Sequence, residues 1–218
     1  MWYETEIAGA DWAAGEKHLC RVDPVLKAII KKVGPCTIKP RRDYFVVLCQ
    51  SIFSQQISVK VAAILFHRFR NQFPMRRPTP TRVIEFLSKP PESLNACGLS
   101  RPKQAYILDL ARHFESGKLR TSRFARMSDE EIIQALVEVK GIGRGTAEMF
   151  LIFVLNRPDV YPVDDLGLRK NVQRAYALAE LPSVKKLHEL AEPWKPYRSL
   201  ATWYFWRMPV EMAQRSGS

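Results

Sequence analysis

The sequence lacks any apolar run long enough to cross a bilayer. Its longest uninterrupted apolar stretch is Met149 to Leu155, whereas a membrane-spanning helix needs about 20 apolar residues. The N-terminal segment MWYETEIAGADW has acidic residues and no apolar segment after a basic start, so no secretory signal is expected. We therefore expect an intracellular protein without a membrane partner, cytoplasmic in a bacterium or archaeon and nuclear in a eukaryote.

Clustered cysteines are also missing. The four cysteines, Cys20, Cys36, Cys49 and Cys97, are widely spaced, without a CxxC pair or a nearby series of histidines. This spacing argues against a zinc site or an iron–sulfur cluster. We expect four reduced, mostly buried thiols, no metal site and no cofactor.

Acidic residues are too few to balance the basic ones. The 218 residues include 34 Lys and Arg against 22 Asp and Glu, which gives a formal net charge of +12. Such an excess favours a polyanionic partner, with nucleic acid as the first candidate and an anionic membrane as the second. A basic protein without a special partner is the alternative on charge alone.

An alternating strand pattern, internal repeats and low-complexity segments are absent as well. Proline, glycine and capping residues divide the chain into successive apolar-faced segments, which predicts an all-α fold. Asp23-Pro24 is expected to begin a helix that ends at Gly34-Pro35. Further helices are predicted near residues 43–55, 58–73, 79–87, 92–97, 100–117, 166–179, 183–192 and 197–207.

Three glycines at alternate positions, Gly141, Gly143 and Gly145, lie in the segment VKGIGRGTA. The capping box Ser128-Asp-Glu-Glu131 predicts a helix before them, and an apolar helix follows. A dinucleotide-binding loop needs GxGxxG after a strand, and a Walker loop needs Gly-Lys-Ser/Thr, so neither fits. Two explanations remain: glycines that only let two helices pack closely, or a helix-hairpin-helix motif at about residues 128–155.

A helix-hairpin-helix motif uses small glycines so that backbone N–H groups at the start of its second helix can reach a DNA phosphate. Basic side chains beside the turn would add charge, although such side chains could also be merely solvated. The predicted DNA-binding residues of the hairpin are Lys140, Gly141, Gly143, Arg144, Gly145 and Thr146.

Together, VKGIGRGTAEMFLIFVL and YPVDDLGLRK resemble the helix-hairpin-helix DNA glycosylases with a Gly/Pro-rich loop and an aspartate, the HhH-GPD superfamily. SIFSQQISVKVA (51–62), CGLSRPKQAYI (97–107) and WKPYRSLATWYFWR (194–207) are similar to segments of its 3-methyladenine DNA glycosylase II branch. The resemblance implies two α-helical lobes with an active-site cleft between them. We expect one two-lobed unit over residues 1–218, monomeric, without an N-terminal β domain.

The resemblance implies a monofunctional enzyme of base excision repair. Such an enzyme flips alkylated purines, of the 3-methyladenine and 7-methylguanine type, out of double-stranded DNA and hydrolyses their N-glycosidic bond. The resemblance implies that Asp165, rather than its neighbour Asp164, is the catalytic residue. A carboxylate suits this role, because it can stabilise an oxocarbenium-like C1′ and orient or deprotonate water. Either aspartate could instead only cap the following helix. Members of the superfamily that also cut the DNA strand carry a lysine where this chain has Gly145. The resemblance therefore implies that this enzyme does not cut the strand.

The resemblance implies that Gln56 occupies the position of the side chain that fills the gap left by the flipped base. A glutamine that only bonds the local turn is the alternative. The resemblance places Trp206, then Trp203, Phe150 and Tyr161, in an electron-rich base pocket, although aromatic residues at helical spacing also suit a core.

Several relatives hold a monovalent cation in the hairpin, and this chain could do so too. Two other functions remain open: a non-catalytic protein that binds DNA lesions, and a glycosylase for another base such as hypoxanthine, uracil or 8-oxoguanine.

Overall fold

Helices form the regular structure of residues 10–89 and 97–209, the part of the chain that the computed structural model describes. No strand occurs within these ranges, so the all-α prediction is confirmed there. The helix predicted near residues 92–97 lies mostly outside them. The α-helices are α1 (Trp12–Val22), α2 (Pro24–Val33), α3 (Tyr44–Ser54), α4 (Val59–Arg70), α5 (Pro80–Leu87), α6 (Arg101–Glu115), α7 (Asp129–Val137), α8 (Arg144–Phe153), α9 (Leu166–Ala175), α10 (Val184–Ala191) and α11 (Arg198–Arg207). Short 3₁₀ helices occupy Pro74–Arg76, Thr121–Arg126 and Glu192–Trp194.

Within the described ranges, every helix is too short or too polar to span a bilayer.

Capping side chains determine where several helices begin. The carboxylate of Asp23 accepts hydrogen bonds from the N–H groups of Val25 and Leu26 at 2.9 and 3.0 Å. Ser128 and Glu131 form the predicted capping box of α7. Helices α2 and α7 therefore begin where their sequence signals place them.

Two features of the helices differ from the prediction. Helix α1 is not among the predicted helices, and its interior glycine is unfavourable for a helix by itself. Tertiary packing explains Gly15, because an added Cβ would lie 2.8 Å from the side chains of Leu200 and Tyr197. Helix α9 ends at Ala175 rather than near residue 179, since the chain turns through a left-handed residue, Ala177, with φ of +50°.

The chain divides into two compact units: a terminal unit, Met1–Pro40 with Leu151–Ser218, and a central unit, Arg41–Phe150. In the central unit, α3 packs against α4 and α6, and α5 packs against α6. Phenylalanine rings with centroids 4.9 to 6.3 Å apart fill part of its core: Phe53, Phe66, Phe69, Phe73 and Phe86.

In the terminal unit, α11 packs against α1, α2 and α9, and its side chains from Ser199 to Phe205 are buried. A buried carboxylate also joins distant segments of this unit. Asp23 Oδ2 accepts a hydrogen bond from Trp194 Nε1 at 2.8 Å and another from the Tyr176 hydroxyl. The grouping of residues 1–218 into one two-lobed unit, and the cleft, stay predictions.

Candidate active site and nucleic-acid interface

Asp165 lies at the N-cap of α9, at the end of a turn that starts at Pro162. Its backbone N–H donates to the Pro162 carbonyl at 3.0 Å, and its Oδ1 accepts the Leu168 N–H at 2.5 Å. Asp165 is therefore the aspartate that caps the helix. It is half-buried, whereas Asp164 is exposed.

The Asp165 carboxylate has a second donor in the indole of Trp206. Trp206 Nε1 lies 3.0 Å from Asp165 Oδ1, and the Trp206 ring stacks on Phe153 with centroids 5.7 Å apart. Both hydrogen bonds fall on Oδ1, and no hydrogen bond reaches Oδ2 from the described residues. One oxygen thus holds the carboxylate in place, and the other remains for water or a ligand.

The first turn of α9 leaves space around this carboxylate. A Cβ on Gly167 would lie 3.2 Å from Asp165 Oδ1, so a larger residue would require the carboxylate to shift by a few tenths of an ångström. Leu166, between them, is 51% exposed. Glycine at position 167 therefore suits the observed position of Asp165.

Helix α11 holds the segment before Asp165 at two further points. Arg198 Nε and Nη2 donate to the Asp159 carboxylate at 2.7 and 2.8 Å, and the Ser199 hydroxyl accepts the Val160 N–H at 2.8 Å. The hydrogen bond that Arg198 donates to Asp159 raises the pKa of Arg198, so the guanidinium stays charged. The sequence analysis missed this contribution of Arg198 and Ser199, although both residues lie in WKPYRSLATWYFWR. The available signal was this Arg-Ser pair at the start of the helix.

The four aromatic residues predicted for a base pocket have different surroundings. Trp206 is half-buried, whereas Trp203, Phe150 and Tyr161 are 2%, 3% and 8% exposed. These three rings pack against other aromatic side chains of their own unit. These three residues are therefore core residues, which is the alternative that their helical spacing allowed. Their contribution to a base pocket stays a prediction.

The hairpin between α7 and α8 uses its glycines for different reasons. Gly141 has φ of +82°, and a Cβ there would lie 2.3 Å from the Tyr106 ring, so packing requires glycine at this position. A Cβ on Gly143 or Gly145 would meet no atom of the described residues within 4 Å. Close packing therefore explains Gly141 alone among the three, and the exposed backbone at Gly143 and Gly145 is open to a ligand.

The start of α8 supplies backbone donors at this open surface. The helix begins at Arg144, and the first N–H groups of any helix have no acceptor within it. They also carry the positive end of the helix dipole, which attracts anions. Thr146 is half-buried in this turn, and Lys140 is exposed beside it, with its backbone N–H held by Asp109 Oδ2 at 2.9 Å.

The Arg144 guanidinium is already paired inside the hairpin. Its Nη1 and Nη2 donate to the Glu130 carboxylate at 3.1 and 2.8 Å, and its Nε donates to Glu148 at 3.1 Å. Hydrogen bonds from Arg144 and then Gln134 lower the pKa of Glu130 to about 2, because they stabilise the ionised carboxylate. Two carboxylates thus compensate the charge of Arg144, and its contact with phosphate stays a prediction.

Gln56 lies in the exposed turn between α3 and α4, with a left-handed φ of +59°. Within the described residues the Gln56 side chain makes no hydrogen bond, whereas the side chain of Gln55 makes one. The Gln55 side-chain amide donates to the Gly141 carbonyl at 2.7 Å. The turn that carries Gln56 is thereby joined to the hairpin, a link that sequence spacing does not reveal.

Within the described residues, no group of side chains forms a metal centre, and two cavities lie away from the candidate residues. No three His, Cys, Asp or Glu side chains of the described residues are grouped to hold a metal ion. All four cysteines are free, two buried and two half-buried, and burial raises the pKa of each thiol. Two cavities of about 340 and 290 Å³ are lined by none of the candidate residues. The hairpin cation stays a prediction.

Known proteins resemble this chain in sequence and in structure. Residues 49–196 match the family described as HhH-GPD superfamily base excision DNA repair protein. The alkylbase DNA glycosidase-like protein mag2 of Schizosaccharomyces pombe is 32% identical over 205 residues, which cover 92% of this chain and 95% of that protein.

Two solved structures have a similar fold over most of the chain. The 3-methyladenine DNA glycosylase Mag1 of Schizosaccharomyces pombe, in complex with abasic DNA, matches with a TM-score of 0.74 and 35% identity and covers 89% of this chain and 95% of its own. A DNA-3-methyladenine glycosidase from Bacillus halodurans matches with a TM-score of 0.78 and 28% identity, over 96% and 92% of the two chains.

Proposed function

Because this chain belongs to the HhH-GPD superfamily of base excision DNA repair proteins, we propose that it is a monofunctional DNA glycosylase for alkylated purines. It binds double-stranded DNA, flips the damaged nucleotide out of the helix and hydrolyses its N-glycosidic bond. Similarity to an alkylbase glycosidase-like protein and to 3-methyladenine glycosylases supports the substrate class. The abasic-DNA complex of Mag1 supports DNA as the partner.

The proposal depends above all on the Asp165 carboxylate and its two hydrogen bonds at Oδ1. As the base departs, C1′ of the sugar gains positive charge, which a nearby carboxylate stabilises. With Oδ1 held by Leu168 and Trp206, Oδ2 is the oxygen we assign to the sugar or to the attacking water. A carboxylate that is already oriented needs less reorganisation in the transition state.

The helix-hairpin-helix motif supplies sequence-independent binding in this proposal. Backbone N–H groups at the start of α8 bind a DNA phosphate next to Gly143 and Gly145, and Lys140 adds positive charge. Gln56 fills the gap that the flipped base leaves, which is supported by the exposure of its side chain and by its lack of a hydrogen bond to any described residue.

Water completes the reaction because the hairpin has no lysine at the position used for covalent catalysis. The position where strand-cutting relatives carry a lysine is Gly145, so no Schiff base with the sugar forms there. The product is an abasic site in an uncut strand.

Incubation with methylated duplex DNA tests the proposal. We expect free 3-methyladenine and 7-methylguanine, separated and quantified by chromatography, in proportion to the protein added. DNA binding without release of any base would favour a non-catalytic lesion-binding protein. Release of only hypoxanthine, uracil or 8-oxoguanine from a panel of lesion duplexes would change the substrate class.

A further inference from the structure

The segment CGLSRPKQAYI reaches the turn of Gln56 through Lys103. The Lys103 ammonium, in the first turn of α6, donates to the carbonyl oxygens of Phe53 and Gln55 at 2.7 and 2.8 Å. Phe53 lies in the last turn of α3, and Gln55 is its C-cap residue. One cation therefore bonds two carbonyls at the end of the helix that precedes Gln56.

The position of Lys103 has a local cost. A cation in the first turn of a helix opposes that helix's dipole, whereas a cation at a helix C-terminus is stabilised by it. Burial also lowers the pKa of Lys103, and no carboxylate of the described residues forms an ion pair with it. The interaction of the Lys103 charge with the helix dipole is thus unfavourable at the start of its own helix, α6, and favourable at the end of α3.

The second carbonyl belongs to the peptide bond that joins Gln55 to Gln56. Its orientation determines the direction in which the chain enters Gln56, which has a left-handed φ of +59°. Such a conformation is unfavourable for a non-glycine residue and persists only where neighbouring contacts enforce it. Lys103 holds this peptide on one side, and the bond from the Gln55 amide to the Gly141 carbonyl, 2.7 Å long, holds the residue on the other.

We propose that Lys103 is a positioning residue that fixes Gln56 in the conformation needed to enter the base stack. This inference rests on the proposed function, because it assigns Gln56 to the gap left by the flipped base. Lys103 itself need not touch DNA. It keeps the turn preorganised, so that the entropy of ordering it is not lost when DNA binds.

A double-mutant cycle with Gln56→Ala tests the proposal without requiring base release. The probe is a duplex with 2-aminopurine opposite an abasic-site analogue, whose fluorescence rises when an inserted side chain disturbs its stacking. We expect Lys103→Met and Gln56→Ala each to remove most of the rise seen with the wild-type protein. Because both act through one side chain, the double variant should be within about twofold of Gln56→Ala.

Base release from a methylated duplex gives the second readout. Lys103→Met should slow single-turnover release about tenfold, and Lys103→Arg, which keeps the cation, should restore it to within about threefold. Lys118→Met removes an exposed lysine of the same unit and controls for the loss of one positive charge. Thermal unfolding is recorded for each variant, and Lys103→Gln, which keeps N–H donors and removes the charge, replaces Lys103→Met if that variant does not fold.

Additive losses in the double variant would overturn the role of Lys103, as would an equal loss in Lys118→Met. The glycosylase activity and the positioning role of Lys103 can be refuted separately. A wild-type protein that raises the fluorescence and releases no base would refute the glycosylase proposal and leave the positioning role standing. Full release by the wild type, with additive losses in the cycle, would refute only the positioning role.

Discussion

At Asp165 one carboxylate caps a helix and, in the proposed mechanism, faces the sugar. These two functions are compatible because they use different oxygens. Oδ1 accepts the Leu168 N–H and the Trp206 indole, and a cap of this kind keeps the side chain in one orientation. The helix thereby orients the group that the proposed chemistry needs.

The hydrogen bond from Trp206 predicts a kinetic effect for Trp206→Phe. The phenyl ring can still pack on Phe153, while the donor to Asp165 is lost. A hydrogen bond to a charged group contributes about 1.5–3 kcal/mol, so single-turnover base release should fall by about tenfold or more. DNA affinity, measured by fluorescence anisotropy, should stay within about twofold of the wild type.

Trp203→Phe, in the same helix, separates positioning from packing. Trp203 is 2% exposed, and its replacement should lower thermal stability with little effect on release at a temperature where the protein is folded. Equal rate losses in the two variants would mean that the ring at position 206, and not its N–H donor, is what matters.

Sequence patterns could locate the candidate residues and not their pairing. The resemblance singles out Asp165, and the glycine spacing singles out the hairpin. The compensation of Arg144 by Glu130 and Glu148 could not be predicted, since it depends on side-chain directions after α7 and α8 have packed. The bond from Lys103 to the end of α3 joins residues about fifty positions apart in the chain, and local patterns contain no record of it.

At the scale of secondary-structure elements, we expect the two basic residues of the hairpin to contribute differently to the salt dependence of DNA binding. Lys140→Met should reduce the slope of log affinity against log salt by about one, since one phosphate contact releases about one counterion. Arg144→Met should reduce it less, because two carboxylates already compensate that guanidinium. Both slopes are obtained from the affinities for undamaged duplex DNA at several salt concentrations. A larger reduction of the slope for Arg144→Met than for Lys140→Met would mean that Arg144, and not Lys140, contacts a DNA phosphate.

We expect the N-cap residues of α1 and α2 to contribute differently to the free energy of unfolding. Asp23→Ala removes a cap and leaves the half-buried Tyr176 hydroxyl and the buried Trp194 indole without their acceptor. We expect it to lower the free energy of unfolding by about 3 kcal/mol. Asp11→Ala removes an exposed cap only and should cost about 1 kcal/mol. Urea denaturation compares the two, and equal losses would show that the buried contacts of Asp23 contribute little.

Element boundaries followed the local signals where capping was strong. Helices α2 and α7 begin at their predicted caps, and α5 and α11 lie close to their predicted ranges. Helix α1 escaped prediction because Gly15, unfavourable for a helix, is selected by contact with Leu200 and Tyr197. Propensity cannot reveal a contact of that kind.

For the whole molecule, the all-α class followed from punctuation by proline, glycine and caps, and the family followed from several motifs in order. The division of the chain into Arg41–Phe150 and the two flanking segments was not readable from composition, because its last boundary falls inside α8. That division arises from tertiary packing, which no local signal marks.

The reaction of the whole enzyme should end at an abasic site. With Gly145 in place of a lysine, borohydride should trap no covalent complex with abasic DNA, and the strand should run at full length on a denaturing gel after base release. A strand-cutting relative run beside it provides the positive control. A trapped adduct would point to another amine and would make the enzyme bifunctional.

Replacement of Asp165 by asparagine tests the central claim most directly. Asparagine can still cap α9, so Asp165→Asn should fold and bind DNA as the wild type does, while the neutral amide cannot stabilise the developing charge at C1′. We predict that single-turnover release of 7-methylguanine falls by at least about a hundredfold and that Asp164→Asn stays close to the wild type. Full activity in Asp165→Asn, or its loss only in Asp164→Asn, would contradict the account.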